Sequence, residues 1–194
     1  MKNLLAIKGF LPYLAIAFIN ASIDLAHKST IQNVLLKTYE GDTLVILTAA
    51  VNAMILLPFI LLFSPSGFIN DKYSKTRVIR VAALAGVAIS VAILFSYLAG
   101  LFEVAFLMTF ILAVQSAIYS PAKYGIVKSL VGTENLGMAN GIIQALTIVA
   151  ILFSSFVFSY VFEISYAHSD DPSQILSSIY MIGILLVIFS TLEA

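Results

Sequence analysis

Long apolar stretches follow one another along this chain, and they restrict it to one kind of fold. Of its 194 residues, 61% are hydrophobic and 10% are charged, and the mean hydropathy is +1.05. Soluble domains are about 45–50% apolar and about 25% charged, so an ordinary soluble domain is excluded. Lipid offers the peptide group no hydrogen-bond partner, so each stretch must be helical. Membrane β-strands would alternate apolar and polar residues, and these stretches do not.

Six stretches each approach the length of about 20 residues that crosses a membrane as a helix. The sequence predicts an all-α membrane protein with one six-helix transmembrane domain over residues 1–194 and no soluble domain. The predicted spans are about 10–33, 43–63, 78–99, 101–122, 137–162 and 173–192.

The basic residues indicate the orientation of these helices. With the N-terminus in the cytoplasm, eight lysines and arginines are cytoplasmic and two are external, which agrees with the positive-inside rule. Both termini are therefore predicted to be cytoplasmic. Zero net charge gives no field that attracts nucleic acid, and the lack of cysteine excludes disulfides and thiolate sites. The cytoplasmic set is Lys2, Lys8, Lys72, Lys75, Arg77, Arg80, Lys128 and, at its edge, Lys123; the external pair is Lys28 and Lys37.

Polar residues form a stripe inside the first predicted span. In residues 18–28 (FINASIDLAHK), Asn20, Asp24 and His27 share one helix face. A charge that faces lipid at this depth costs at least about 2.5–3.5 kcal/mol, so we expect the stripe to face other helices or a wet cavity. The alternative is that His27 and Lys28 extend to the outer interface and that Asp24 pairs with one of them.

A second polar row lies on the fourth span, where Gln115, Tyr119 and Lys123 share nearly one face. Pro121 is expected to break the backbone hydrogen-bond ladder next to Lys123 and to free carbonyl groups close to its ammonium. Two interpretations of Lys123 stay open. It is either a lysine at the cytoplasmic interface or a cavity lysine that meets an anionic group, such as a phosphate or the Asp24 carboxylate.

The fifth span carries uncharged polar residues, which predict either interhelical hydrogen bonds or cavity lining. Asn140, Gln144 and Thr147 form this row. Small residues on the third and fifth spans are expected to pack closely against neighbouring helices. These are Ala82, Gly86, Ser90, Gly137 and Gly141.

An ordered charge motif lies between the second and third spans, in residues 64–80 (SPSGFINDKYSKTRVIR). It fits the pattern G-x-x-x-D-[RK]-x-[GS]-[RK]-x-[RK]. Glycine allows a tight helix end, aspartate attracts a helix N-terminus, and the basic residues hold anionic headgroups. The residues of this loop motif are Gly67, Asp71, Lys72, Lys75 and Arg77.

The loop motif resembles the signature of the major facilitator superfamily, with Ser74 in place of the usual glycine. The resemblance implies the N-terminal six-helix half of such a transporter, built as a 3+3 inverted repeat, with a gating role for the loop. The C-terminal half is expected to be absent from this chain, by truncation or by natural division. The superfamily's Arg-x-x-x-Gly motif for proton antiport is missing from the fourth span, which weighs against proton-coupled drug efflux.

A narrower resemblance is to the bacterial lysophospholipid transporter family, including fusions with an acyltransferase and an acyl-ACP ligase. It is carried by YSPAKYGI (119–126) and ANGIIQALTIVAIL (139–152), and the FINASIDLAHK stretch resembles the first helix of such fusions. The resemblance implies that Asp24 is the acid of a polar site, that Lys123 takes part in substrate passage and that Asp71 is a gating residue. The implied activity is lysophospholipid flipping across the bacterial inner membrane by alternating access.

The expected partners are membrane lipids, the lysophospholipid substrate, the missing half or a second copy, and an acyltransferase. No cofactor is expected apart from a coupling cation, sodium or proton. The chain contains no acyltransferase motif, Ser-His-Asp set or metal cluster, so it is not predicted to be an enzyme. The alternatives are a transporter of another small solute and a membrane anchor for an acyltransferase, although an anchor needs no polar stripes. The residues expected to bind substrate or ion are Asn20, Asp24, Gln115, Tyr119, Lys123, Asn140 and Gln144.

Overall fold

The structure is a computed structural model, and it describes residues 4–194. Lys2, which belongs to the predicted cytoplasmic set, lies outside the described residues. After a single 3-10 turn, every regular element in the described range is an α-helix. The turn is Leu4–Ala6, and the helices are α1 (Phe10–Thr38), α2 (Gly41–Leu61), α3 (Phe63–Lys72), α4 (Lys75–Leu98), α5 (Phe102–Val131), α6 (Leu136–Ser165), α7 (Pro172–Ser178) and α8 (Tyr180–Glu193).

Five of these helices, α1, α2, α4, α5 and α6, are long and apolar enough to cross a membrane. The helices α7 and α8 together make a sixth candidate span, which bends by 55°. The prediction of an all-α membrane bundle is confirmed. The 3+3 inverted repeat stays a prediction.

Two helices extend well beyond the predicted spans. The first was expected to end near residue 33 and reaches Thr38, and the fourth was expected to end near residue 122 and reaches Val131. Pro121 lies inside α5, which continues past it; because proline has no amide hydrogen, the expected gap in the hydrogen-bond ladder falls within the helix. The predicted ends were set by hydropathy, which reports only the apolar part of a helix. The backbone hydrogen bonds continue beyond that part, so the helices are longer than the predicted spans.

The predicted loop between the second and third spans is mostly helix, because α3 occupies residues 63–72. Gly67 lies within α3, so the expected helix end at this glycine is wrong; α3 ends instead before Tyr73. Asn70 is buried, and its Nδ2 donates to the carbonyl oxygens of Ser66 (2.7 Å) and Ile118 (3.2 Å). The second bond ties α3 to the side of α5.

The buried apolar residues fall into two clusters that both include α1. One cluster, at the end of the bundle where α1 begins, joins α1 to α5 and α6 through Phe10, Val127 and Ile143. The other lies towards the opposite end and includes Ile23 and Phe158. On α1 the first cluster stops at Ala17 and the second starts at Ile23, so Asn20 lies between them.

Small residues let α4 approach its neighbours closely. The Ser90 and Ser190 hydroxyls lie 2.6 Å apart across α4 and α8, and Gly86 leaves room for the amide of Gln115 on α5. The predicted close packing of the α4 row is confirmed. Gly137 and Gly141 have no neighbour within 4 Å of an added Cβ in the described part of the chain, so close packing of that pair is not observed there.

The close approach of α8 to α4 at Gly183 can be tested by substitution. A Cβ at this position would lie 2.9 Å from Leu94 Cδ1 and 3.1 Å from Leu94 Cα on α4. We expect Gly183→Val to lower the free energy of unfolding by about 1–3 kcal/mol through overpacking. The matched control is Gly141→Val, because that glycine faces open space. Thermal unfolding in detergent measures both, and equal melting temperatures for the two variants would contradict the packing.

Candidate functional site

A buried lysine lies between α1 and α5. The Lys123 side chain is 7% exposed, and its Nζ donates to Asn20 Oδ1 at 2.8 Å. The same Nζ lies 5.6 Å from the ring centroids of Tyr119 and Tyr124. Lys123 precedes the end of α5 by eight residues, which is about 12 Å of helix. Its burial favours the cavity interpretation of this lysine over the interfacial one.

The Asp24 carboxylate lies one turn beyond Asn20 on α1 and is half-buried. The Ser116 hydroxyl on α5 lies 2.8 Å and 3.0 Å from its two oxygens. Lys123 and Asp24 interact electrostatically, but within residues 4–194 they form no direct salt bridge. The alternative pairing of Asp24 with His27 or Lys28 is likewise not formed among the described residues, where Ser116 is the hydrogen-bond partner of Asp24.

Glu193 is a third charged residue of this cluster, and sequence reasoning missed it. Its side chain is 9% exposed and lies beside Asn20, Tyr119 and Lys123. Its Oε1 has no hydrogen-bond partner in the described part of the chain. The spacing of buried residues on α8 contains the missed signal, because Leu186, Ser190 and Glu193 recur at intervals of three and four.

A cavity of about 190 Å³ opens between α1, α2 and α5. We call it the polar cavity. Its polar lining includes Asp24, Lys28, Thr109 and Ser116. An acidic and a basic side chain therefore border the same small space, with Lys123 and Glu193 in the layer next to Asp24.

His27 ties three helices together above this layer. It is fully buried; its Nδ1 lies 2.9 Å from the Tyr97 hydroxyl on α4, and its Nε2 lies 3.1 Å from the Ala105 carbonyl on α5. Thr109 Oγ1 lies 3.4 Å from the same Nε2. These contacts make His27 a structural link between helices, rather than a residue that extends to the outer interface.

The polar row on α5 is buried against two sides of the bundle. Gln115 Nε2 donates to the Ala82 carbonyl of α4 at 2.9 Å, and Gln115 Oε1 lies 3.3 Å from Ser116 Oγ. Tyr119 is buried beside Glu193. The structure therefore brings together Asn20, Asp24, Tyr119 and Lys123, with Gln115 joined to them through Ser116.

Two further residues that were expected to bind substrate lie elsewhere. Asn140 and Gln144 are exposed on α6 and take no part in the cluster. The charged residues of the loop motif are also exposed, at the helix ends that carry most of the basic residues, which we call the basic end. These are Asp71, Lys72, Lys75 and Arg77. Within residues 4–194, no group of three His, Asp or Glu side chains is placed to hold a metal ion.

Charged side chains buried among apolar membrane helices mark ion and substrate pathways. The fold and the cluster thus describe a multi-pass membrane bundle with a buried layer of polar and charged side chains. No protein-family model matches the chain, and no solved structure gives a significant match.

Similarity to curated proteins indicates a more specific class than the fold does. The chain is 37% identical over 102 residues to "Lysophospholipid transporter LplT" of Serratia proteamaculans. Proteins of the same name from Yersinia enterocolitica and Yersinia pestis are 36% and 39% identical over segments of the same length. The matched segment is 53% of this chain and 22–23% of each relative. The chain thus matches less than a quarter of each relative's length, and within that segment the predicted resemblance to lysophospholipid transporters is confirmed.

The two histidines of the chain provide a matched test of the link between helices. We expect His27→Ala to lower the free energy of unfolding by about 2 kcal/mol, because it removes two buried hydrogen bonds and leaves a cavity. His168 is exposed, and His168→Ala should change the value by less than about 0.5 kcal/mol. Thermal unfolding in detergent compares the two, and an unchanged melting temperature for His27→Ala would argue against the link.

Proposed function

We propose that this protein transports lysophospholipids across the bacterial inner membrane as one six-helix half of an alternating-access transporter. The proposal depends on the buried Lys123 ammonium. It donates a hydrogen bond to Asn20, and the carboxyl groups of Asp24 and Glu193 lie near it. A lysophospholipid headgroup carries an anionic phosphate, and in the ethanolamine lipid it also carries an ammonium group. The cluster offers a partner of opposite charge to each. The names of the curated relatives support the same substrate class.

In this proposal the phosphate takes the place of Asn20 at the Lys123 ammonium, since a charged acceptor makes the stronger hydrogen bond. The ammonium of the headgroup then interacts with Asp24 or Glu193. Because Glu193 Oε1 has no partner among the described residues, it is available to accept a hydrogen bond. The acyl chain needs no polar partner and stays along apolar helix surfaces.

Polar side chains on uncovered surfaces of the bundle support the proposal that a second bundle packs against it. Asp24 and Lys28 line the polar cavity, and Asn140 and Gln144 are exposed on α6. Such groups are costly against acyl chains, so a covering surface stabilises them. We propose that the other six-helix half, or a second copy of this chain, packs there, and that the two bundles rock around the shared cavity. The acyltransferase partner also stays a prediction.

A coupling cation belongs to the same proposal. The Asp24 carboxylate and the unpartnered oxygen of Glu193 are groups that can coordinate sodium or accept a proton. Transport by reconstituted protein, measured with and without a sodium gradient, tests this step. The exposed loop motif, which includes Asp71, is proposed to act at the interface with the second bundle rather than on the substrate.

The role of Lys123 is tested by Lys123→Ala. We expect the flipping rate to fall about ten-fold or more, because a hydrogen bond to a charged group contributes about 1.5–3 kcal/mol. The assay follows fluorescent lysophosphatidylethanolamine in vesicles that contain the full-length gene product. The exposed lysine of the same helix gives the control, since Lys128→Ala removes an equal charge without touching the cluster. A wild-type rate in folded Lys123→Ala protein would reject the substrate contact.

The orientation is tested with single cysteines, because the chain has none of its own. We expect Glu40→Cys to react with a membrane-impermeant maleimide in intact spheroplasts, and Ser74→Cys to react only after permeabilisation. Glu40 precedes α2 and Ser74 precedes α4, at opposite ends of the bundle, and both are exposed. The reverse labelling pattern would place the basic end outside.

A further inference from the structure

A second and larger cavity lies apart from the polar cavity. It measures about 520 Å³ and opens between α3, α4 and α5 at the basic end of the bundle. We call it the lateral groove. None of the residues that line the polar cavity takes part in it. The lateral groove is lined by Ile69 on α3, by Tyr73 directly after it, by Arg77, Val81, Ala85 and Ile89 on α4, and by Ile111 and Ile118 on α5, among others.

The depth and composition of the lateral groove fit an acyl chain. Its lining on α4 runs from Arg77 to Ile89, which is about 18 Å of helix. One leaflet of a bilayer has a hydrocarbon depth of about 15 Å. The walls between these two residues are almost wholly aliphatic. The volume falls within the range of about 300–1,000 Å³ that is usual for ligand sites.

The mouth of the lateral groove is cationic. The Arg77 guanidinium lies 5.7 Å from the Tyr73 ring centroid, and Lys72 Nζ lies at the same distance from this ring. Within residues 4–194, Arg77 forms no salt bridge. The guanidinium is therefore free to bind a phosphate with two parallel hydrogen bonds. The Tyr73 ring, held beside it, restricts where that phosphate can lie.

The inner wall of the lateral groove connects it to the polar cavity. Gln115 lines the groove, and its Oε1 lies 3.3 Å from the Ser116 hydroxyl. Ser116 in turn donates to Asp24, which lines the polar cavity. Two neighbouring residues of α5 thus separate the two spaces, and the single Ser116 hydroxyl proton can be donated either to Asp24 or to Gln115 Oε1.

We propose that the lateral groove binds the single acyl chain of a lysophospholipid in the leaflet at the basic end, with its phosphate on Arg77. The choice of lipid rests on the proposed function. Lipid tails are as apolar as the groove, so apolar contact alone gives no preference over the surrounding bilayer. Selectivity must come from the phosphate contact and from a groove that takes one tail. The second tail of a diacyl lipid would remain outside.

The absence of tryptophan from the chain makes the proposal directly measurable. Val81→Trp places one indole in the lateral groove, and Leu84→Trp places one on the same helix outside it. The two native side chains are 60% and 58% exposed, so both variants should fold. Each variant is reconstituted in nanodiscs and titrated with lysophosphatidylglycerol that carries a brominated chain, which quenches nearby indoles.

We expect half-maximal quenching of Val81→Trp at an at least five-fold lower lipid fraction than for Leu84→Trp. Adding Arg77→Gln to Val81→Trp should remove most of that difference, whereas adding Arg80→Gln should preserve it, because Arg80 does not line the groove. Brominated diacyl phosphatidylglycerol should quench both indoles alike. Equal curves for the two indoles with the lysolipid, or the same preference with the diacyl lipid, would overturn the proposal.

The quenching result can be distinguished from the test of the proposed function. The quenching experiment measures binding without transport, and the Lys123→Ala assay measures transport. Equal quenching together with Lys123-dependent flipping would remove the lateral groove from the pathway and leave the transporter proposal standing. Selective quenching in a protein that flips no lysolipid would establish a lipid site and reject the transport function.

Discussion

The burial of Lys123 between apolar helices is the constraint on which the rest of the structure depends. An ammonium group at this depth needs a polar partner, and Asn20 provides it from α1 at 2.8 Å. That bond brings α1 and α5 together at the level where the apolar packing divides into two clusters. Asp24, Ser116 and Glu193 complete a layer of polar side chains at this level, and the cavities open on either side of α5.

The same layer favours the proposed transport function over the alternative of a passive membrane anchor. An anchor is most stable with apolar residues throughout, because each buried charge costs free energy that only specific partners offset. Here one lysine, two acids and several amide and hydroxyl groups share a small volume. Under the proposed function, a headgroup that carries both charges is the ligand of this set, and the curated relatives are named lysophospholipid transporters.

Hydropathy predicted the membrane bundle, and helix periodicity placed Asn20 with Asp24 on one face and Tyr119 with Lys123 on another, because a charge in lipid leaves few alternatives. That these two rows meet was only one of two open interpretations of Lys123. The helical form of α3 was missed because its mean hydropathy is low, and it depends on Asn70 bonding to α5, a contact between residues distant in sequence. Glu193 was missed for a related reason, since an acid at a helix end is ordinarily solvated.

Asn140 and Gln144 share the spacing of the buried rows, yet periodicity does not say which face of α6 is covered.

The division of the core into two clusters that share α1 has a mechanical consequence. In the proposed transport, a headgroup that draws Asn20 away from Lys123 would act on α1, which, like α5 and α6, contributes buried residues to both clusters. Under that proposal, a local exchange of hydrogen bonds at the middle of α1 would be felt in the packing at both ends of the bundle.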